Sequence, residues 1–406
     1  MINTSVYIFF LSIFIFSCNN QINERQFNAS GETLIDSISG SCPFLTSDDK
    51  ENVVLSWIRQ IDTSSFKFCY AVSDDNGKTF KDVKEIPGST NVNPHGENLP
   101  KIIFKHTGEI IAVWGAANPN PGNKYAGMIY YSQSFDKGET WTKPKNLSQD
   151  TSSFDQRYFD VAILKNGEAG IVWLDNRKRW DKEGSGVFYA VTEGRNGFQN
   201  EKLVSGPACQ CCRTDILMDK HGSIHVLYRA IINDSIRDVV HIVSTDDGKS
   251  FSTPQRISQD NWVINGCPHT GPAMSENKEG IHFTWFTGGM GAGIYYNHSG
   301  NNGETFDGRD SVSGNSAKHC QIATLNDENI LIVWNESFPM GKEFSSRIGI
   351  EKRDAQGKIL LRNYITAENS KSTFPVVFSL SDNTAVVAYT DNSNGSSHIF
   401  SQMISF

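Results

Sequence analysis

Ser73-Asp74-Asp75-Asn76-Gly77-Lys78-Thr79-Phe80 is the first of four near-copies of one eight-residue phrase. Ser134-Phe135-Asp136-Lys137-Gly138-Glu139-Thr140-Trp141 and Ser244-Thr245-Asp246-Asp247-Gly248-Lys249-Ser250-Phe251 fit the same pattern, S-x-D-x-G-x-[T/S]-[F/W]. Ser299-Gly300-Asn301-Asn302-Gly303-Glu304-Thr305-Phe306 fits with Asn in place of Asp, and weaker relics lie at Thr192 to Phe198 and around Asp354 to Gly357. The chemistry is that of a tight hairpin turn. The carboxylate accepts from backbone N–H groups, the glycine takes a positive φ, and the aromatic packs between neighbouring sheets. These residues are structural and are set aside as site candidates.

A second repeat surrounds the first. Short β-branched runs end in an aromatic at Trp57, Trp114, Trp173, Tyr228, Trp285, Trp334 and Tyr389, spaced 49 to 59 residues apart. The runs are bounded by Gly, Asn and Asp and lack a helical period, so each unit reads as four short strands. Seven such units predict an all-β chain folded as a seven-bladed β-propeller. Residues 373–406 offer about three strands, and Thr33 to Ser39 supplies the fourth, so an N-terminal strand closes the ring and leaves no open sheet edge.

The turn phrase resembles the Asp-box, or BNR-repeat, sialidase-like family, whose sialidases have six blades; a six-bladed fold is the alternative. Further signatures resemble a subset of that family. They are Trp173-Leu174-Asp175-Asn176-Arg177, Cys209-Gln210-Cys211-Cys212-Arg213-Thr214, Tyr228-Arg229 through Ile236-Arg237-Asp238, and Asn265-Gly266-Cys267-Pro268. The match covers roughly residues 50 to 340. In sialidases an arginine triad binds the sugar carboxylate, a tyrosine paired with glutamate is the nucleophile, and an aspartate is the acid/base. The first arginine of that family lies in an F-R-I-P segment, where this chain has Cys42-Pro43-Phe44-Leu45.

A formal charge of −8 excludes a nucleic-acid binder, which needs basic surface to displace counterions. The apolar run Val6 to Phe16 is too short to span a bilayer and reads as a secretory signal. Ile15-Phe16-Ser17-Cys18 resembles a bacterial lipobox, which implies lipidation of Cys18. The expected organisation is a signal peptide over 1–18, a flexible tether over 19–31 and one propeller over 32–406. The location is exported and membrane-anchored, periplasmic or at the cell surface.

In a propeller, residues before each innermost strand and after each repeat aromatic lie around one end of the central channel. The first group holds Cys42, His95, Arg157, Cys211, Cys212, Arg213, Cys267, His269, His319 and Cys320; the second holds Arg59, Asp175, Arg177, Arg229, Glu336 and Asp391. Polar groups from several blades meeting in one concavity are a site. Three readings follow. In the first, Arg157, Arg177, Arg213 and Arg229 bind an acidic sugar, and Asp175, Glu336 or Asp391 serve as general acid and base of a glycoside hydrolase. The second concerns the cysteines, which in an oxidising compartment pair as disulfides, Cys42 with Cys69 for instance, so that no cofactor is needed. Its alternative is zinc or copper on Cys211, Cys212, Cys267, His269 and His319. The third is a glycan-binding platform without chemistry, with Trp180, Trp262 and Phe286 stacking on sugar rings.

Overall fold

The computed structural model describes residues 27–150, 155–177, 183–381 and 384–406; Cys18 and Trp180 lie outside them. The described residues form seven antiparallel sheets. Their innermost strands are Gly40–Ser47, Lys101–Phe104, Gln156–Ile163, Asp215–Met218, Ala273–Asn277, Ala317–Thr324 and Ser372–Ser381. Each touches the next and the last touches the first, which makes a closed ring of seven blades rather than six.

The seven repeat aromatics sit on the second strands, Val53–Gln60, Ile110–Ala117, Ala169–Asp175, Ile224–Arg229, Gly280–Thr287, Ile330–Met340 and Thr384–Asp391. All are buried between sheets. A buried indole N–H needs an acceptor, and three blades supply it in the same way. Trp57 donates to Asp36 at 3.2 Å, Trp173 to Asp175 at 3.2 Å and Trp285 to Asp260 at 2.7 Å. Each carboxylate also binds an arginine: Arg59, Arg177 and Arg309.

The turn phrase joins the third and fourth strands of its blade. Asp75 accepts from the Thr79 N–H at 2.8 Å, the Ser73 hydroxyl accepts from the Gly77 N–H at 2.8 Å, and Gly77 has φ +78°. Its glycine also faces the blade before it. A Cβ on Gly138 would lie 2.7 Å from the Tyr70 hydroxyl, on Gly248 2.7 Å from a Tyr189 ring carbon, and on Gly303 2.2 Å from His241. The relics behave alike, with Gly197 against Tyr131 and Gly357 against Tyr296. One motif thus makes the turn and docks successive blades.

The seventh blade is completed from the N-terminal side, as expected, but by two short pieces. Asn28–Ala29 and Thr33–Leu34 both pair antiparallel with His398–Ser405. The first piece falls within the stretch read as tether. The pairing expected to run on to Ser39 stops at Leu34, because Asp36 turns into the first blade to bind Trp57 and Arg59.

Candidate functional site

The innermost strands begin irregularly. Register shifts interrupt their pairing with the second strands at Ser41/Phe44, Arg157/Asp160, Lys318/Gln321 and Thr373/Val376. In each, a bulky residue takes a left-handed backbone: Cys42 at φ 61°, Tyr158 at 57°, His319 at 55° and Phe374 at 51°. His269, ahead of the fifth inner strand, has φ 49°. Such backbone strain on residues with a Cβ persists where the fold enforces it and concentrates at functional sites.

The bulges bring side chains of different blades together at the channel mouth. The His95 ring lies 5.6 Å from that of Tyr158 and 5.8 Å from that of His269, blades two and five meeting across the axis. His319 stacks on Phe374 at 4.0 Å, and its backbone N–H donates to Thr270 at 3.3 Å. Arg157, half-buried, lies over the Tyr158 ring and pairs with Asp155 at 2.7 Å. His269 is exposed, so this cluster opens to solvent.

Hydrogen bonds fix the imidazole roles. The Asn335 Oδ1 accepts from the Phe374 backbone N–H at 3.3 Å, so it is an acceptor for His319 Nδ1 at 2.7 Å. Neutral His319 therefore carries its proton on Nδ1 and leaves Nε2 with a lone pair. His95 is the opposite case: its Nδ1 accepts from the Glu97 N–H at 3.2 Å, which places the proton on Nε2. Burial pulls His319 down to about 4; the hydrogen bonds to Asn335 and to the His269 backbone favour its protonation, and Arg213 and Lys318 oppose it. Burial, then His269 and Arg157, pull His95 down to about 4. Both are neutral at neutral pH. Burial pushes the Tyr158 phenol well up, so it stays protonated; the residue is 1% exposed and its phenol faces Arg157, Cys211, Cys212 and Glu97.

Below the mouth lies a cavity of about 100 Å³ whose walls include Glu97, Lys101, Asp160, Arg213 and Asp215. Glu97 and Arg213 form an ion pair at 2.5 Å, and burial pushes the Glu97 carboxyl up to about 7 against the pull of Arg213. Lys101 binds Asp160, while burial and then Asp160 push the Asp215 carboxyl well up. The cavity is closed electrostatically on itself.

The candidates from sequence separate accordingly. Arg157 stands at the mouth. Arg213 points into the cavity wall. Arg229 is buried and donates to the carbonyls of Arg237, Thr270 and Phe286. Arg177 reaches outward along its blade to Glu201 at 3.0 Å, and Asp175 is the buried partner of Trp173 and Arg177. Glu336 binds Ser316 and Arg347, and Asp391 binds Ser372 and the Ser393 N–H. These three carboxylates each serve a local network and are not brought together. Trp262 and Phe286 are buried against each other rather than offered to a sugar, and Arg237 pairs with Glu183 at 3.0 Å.

No two of the seven cysteines in the described residues are bonded, which corrects the disulfide reading. Cys42 lies in the mouth bulge beside Ser41, whereas Cys69 sits on the third strand opposite Trp57, with the second strand between them. The metal alternative also splits: Cys211 and Cys212 gather with Cys209, while Cys267 is exposed and His269 and His319 belong to the mouth.

Tyr158 and Phe374 were missed as site residues because their placement depends on a bulge at a non-glycine residue, which leaves no mark in the sequence. The neighbouring Arg157 was the one available hint.

No protein-family model and no curated protein matches the chain. Solved structures share the fold. An ulvan lyase of a polysaccharide lyase family, bound to -[GlcA(1-4)Rha3S]-, superposes with a TM-score of 0.57 at 9% identity, covering 93% of this chain and 96% of that one. The polysaccharide lyase Uly1 gives 0.54 at 12% identity, with 91% and 90% covered. A protein of unknown function from Dyadobacter fermentans DSM 18053 gives 0.54 at 16% identity, with 78% and 97% covered. At these identities the likeness concerns architecture.

Proposed function

We propose that the chain is a carbohydrate-active enzyme whose channel mouth carries out β-elimination on a uronate-containing glycan. The observation that carries this reading is a run of contacts at the mouth, from the Arg157 guanidinium over the Tyr158 phenol through His95 to His269, whose neighbour Thr270 meets the backbone of His319. Two proteins of the same architecture are named as polysaccharide lyases, and one of them is bound to a GlcA-containing saccharide.

Elimination needs three things. The uronate carboxylate must be neutralised so that the neighbouring C5–H becomes acidic, and Arg157 offers the charge and the planar fork for it. A base must take that proton, and His319 Nε2 is neutral and unprotonated at neutral pH. An acid must protonate the departing O4 as the C4–O bond breaks and the C4–C5 double bond forms, and the Tyr158 phenol holds a proton for it. The His95 Nε2–H adds a donor beside it. Hydrolysis by a pair of carboxyl groups flanking one bond finds no such pair here, since Asp175, Glu336 and Asp391 are each engaged elsewhere.

The test is digestion of a panel of uronate glycans and sialosides, following both new reducing ends and the ultraviolet absorbance of the unsaturated product. We expect both signals together on a uronate glycan. Tyr158→Phe should lower kcat by roughly 10²–10⁴-fold, whereas Arg157→Ala should act mainly on KM. Reducing ends without absorbance would make the protein a hydrolase, and tight binding without cleavage a binding platform; either result overturns the proposal. The same proposal includes export and lipid anchoring, supported by the Val6–Phe16 run and Cys18. Incorporation of a labelled fatty acid, lost in Cys18→Ser, checks it.

A further inference from the structure

We propose that Cys209, Cys211 and Cys212 bind one thiophilic d10 cation, zinc(II) or copper(I), through three thiolates directly behind the mouth. The segment carrying them links the outermost strand of the third blade, Phe198–Ala208, to the innermost strand of the fourth. Their sulfurs all lie within 4.8 Å of one another, with Cys209 and Cys211 at 3.6 Å, and all three residues are buried. A metal–sulfur distance of about 2.3 Å places three sulfurs around one ion roughly 4 Å apart. The side chains therefore already stand at ligand spacing.

A second observation is independent of the sulfurs. Arg229 is 1% exposed and has no carboxylate partner among the described residues; it contacts three carbonyls, and its Nε–H lacks an acceptor. Its charge faces Cys212. Besides its carbonyl contacts Arg229 lies over the Trp262 ring at 5.0 Å, and a buried guanidinium favours anionic sulfur beside it. Three thiolates around zinc(II) carry −1, which balances Arg229; around copper(I) they carry −2. Binding replaces three S–H bonds with sulfur–metal bonds and releases three protons.

Thiolate donors select zinc and copper(I) over harder cations. No fourth His, Cys or carboxylate among the described residues joins the group, so the protein contributes three ligands. The site lies against Tyr158, Ala208, Ala230 and Ile231, and the Thr270 backbone N–H faces Cys212. A metal there would fix the fold of the link between the third and fourth blades, which packs beside Tyr158. This inference does not depend on the lyase reading.

The experiment is elemental analysis and native mass spectrometry of the full chain, purified under reducing, chelator-free conditions. We expect one zinc or one copper per chain, whichever ion is present naming the source. Cys209→Ser and Cys211→Ser should fall to less than a tenth of an equivalent, and Cys69→Ser should keep one. Should the serine variants fail to fold, the wild type still decides: three thiols should resist alkylation until a chelator is added, and cobalt(II) exchange should give thiolate charge-transfer absorption. Failure to take up zinc(II) or, anaerobically, copper(I) would overturn the proposal, as would a disulfide within the triplet in freshly purified protein or full metal content in both serine variants.

Discussion

Replacing Asn335 with Asp should turn His319 from a permanently neutral imidazole into one that titrates near physiological pH. The exchange is nearly isosteric. Asp keeps an oxygen for the His319 Nδ1–H and the Phe374 N–H, and the Ser346 hydroxyl can donate to the other oxygen. Two unit charges about 4 Å apart at an effective dielectric constant near 20 interact by about 4 kcal/mol, or roughly three pKa units. The half-open mouth reduces this, and Arg213, Lys318 and the nearby His269 act on the imidazole as before. From a starting value of about 4, a rise of roughly 1–3 units is expected. The assay is an NMR titration of the His319 ring proton, which needs no substrate. If the mouth is the elimination site, the acid limb of the kcat/KM profile should move up with it. A midpoint within about half a unit of wild type would refute the hydrogen bond, and with it the assignment of Nε2 as the base.

His282 offers a stability test. Burial, then His298 and Arg353, pull it down to about 3, below its unfolded value of roughly 6.5. The unfolded chain therefore takes up the proton first as pH falls, so the contribution of His282 is complete above about pH 6.5 and is lost progressively towards pH 3. Between about pH 7.5 and pH 5 this amounts to about 2 kcal/mol, and urea melts of His282→Leu should show a pH dependence shallower by that amount; parallel curves would contradict a buried neutral imidazole. Gly303→Ala and Gly167→Ala separate turn strain from blade docking. Both have positive φ, but an added methyl meets His241 at the first and nothing within 4 Å at the second. Both should lose about 1 kcal/mol or more, and Gly303→Ala about 1–3 kcal/mol beyond that; equal losses by thermal denaturation would mean that the glycine does not dock the blades.

The fold was legible because its information is local and repeated. Seven aromatics on second strands and four turn phrases each report one blade, so the blade count needed no knowledge of how distant residues meet. The site was legible only in part. Of the residues read ahead of the inner strands, His95 lies beside Tyr158 and His269, and Arg157 lies over the Tyr158 ring. Reading those after the aromatics gathered Asp175, Arg177 and Glu336, whose side chains run outward along their blades to Glu201, Arg347 or an indole N–H. Position in the chain places a residue near an opening, but the side-chain direction decides whether it faces it. That direction is set by bulges at Cys42, Tyr158, His319 and Phe374, whose residue types do not favour a left-handed backbone.

The rings of Phe27 and Phe406 lie 6.4 Å apart, on the outermost edge of the seventh blade. Three sheet spacings, about 14 Å, separate that edge from the innermost strand. The described chain therefore begins at the rim of the seventh blade, away from the inner strands that form the mouth. Under the lipid anchoring proposed above, attachment would enter at this rim while the inner-strand bulges form the mouth, so attachment and access would not compete for the same surface.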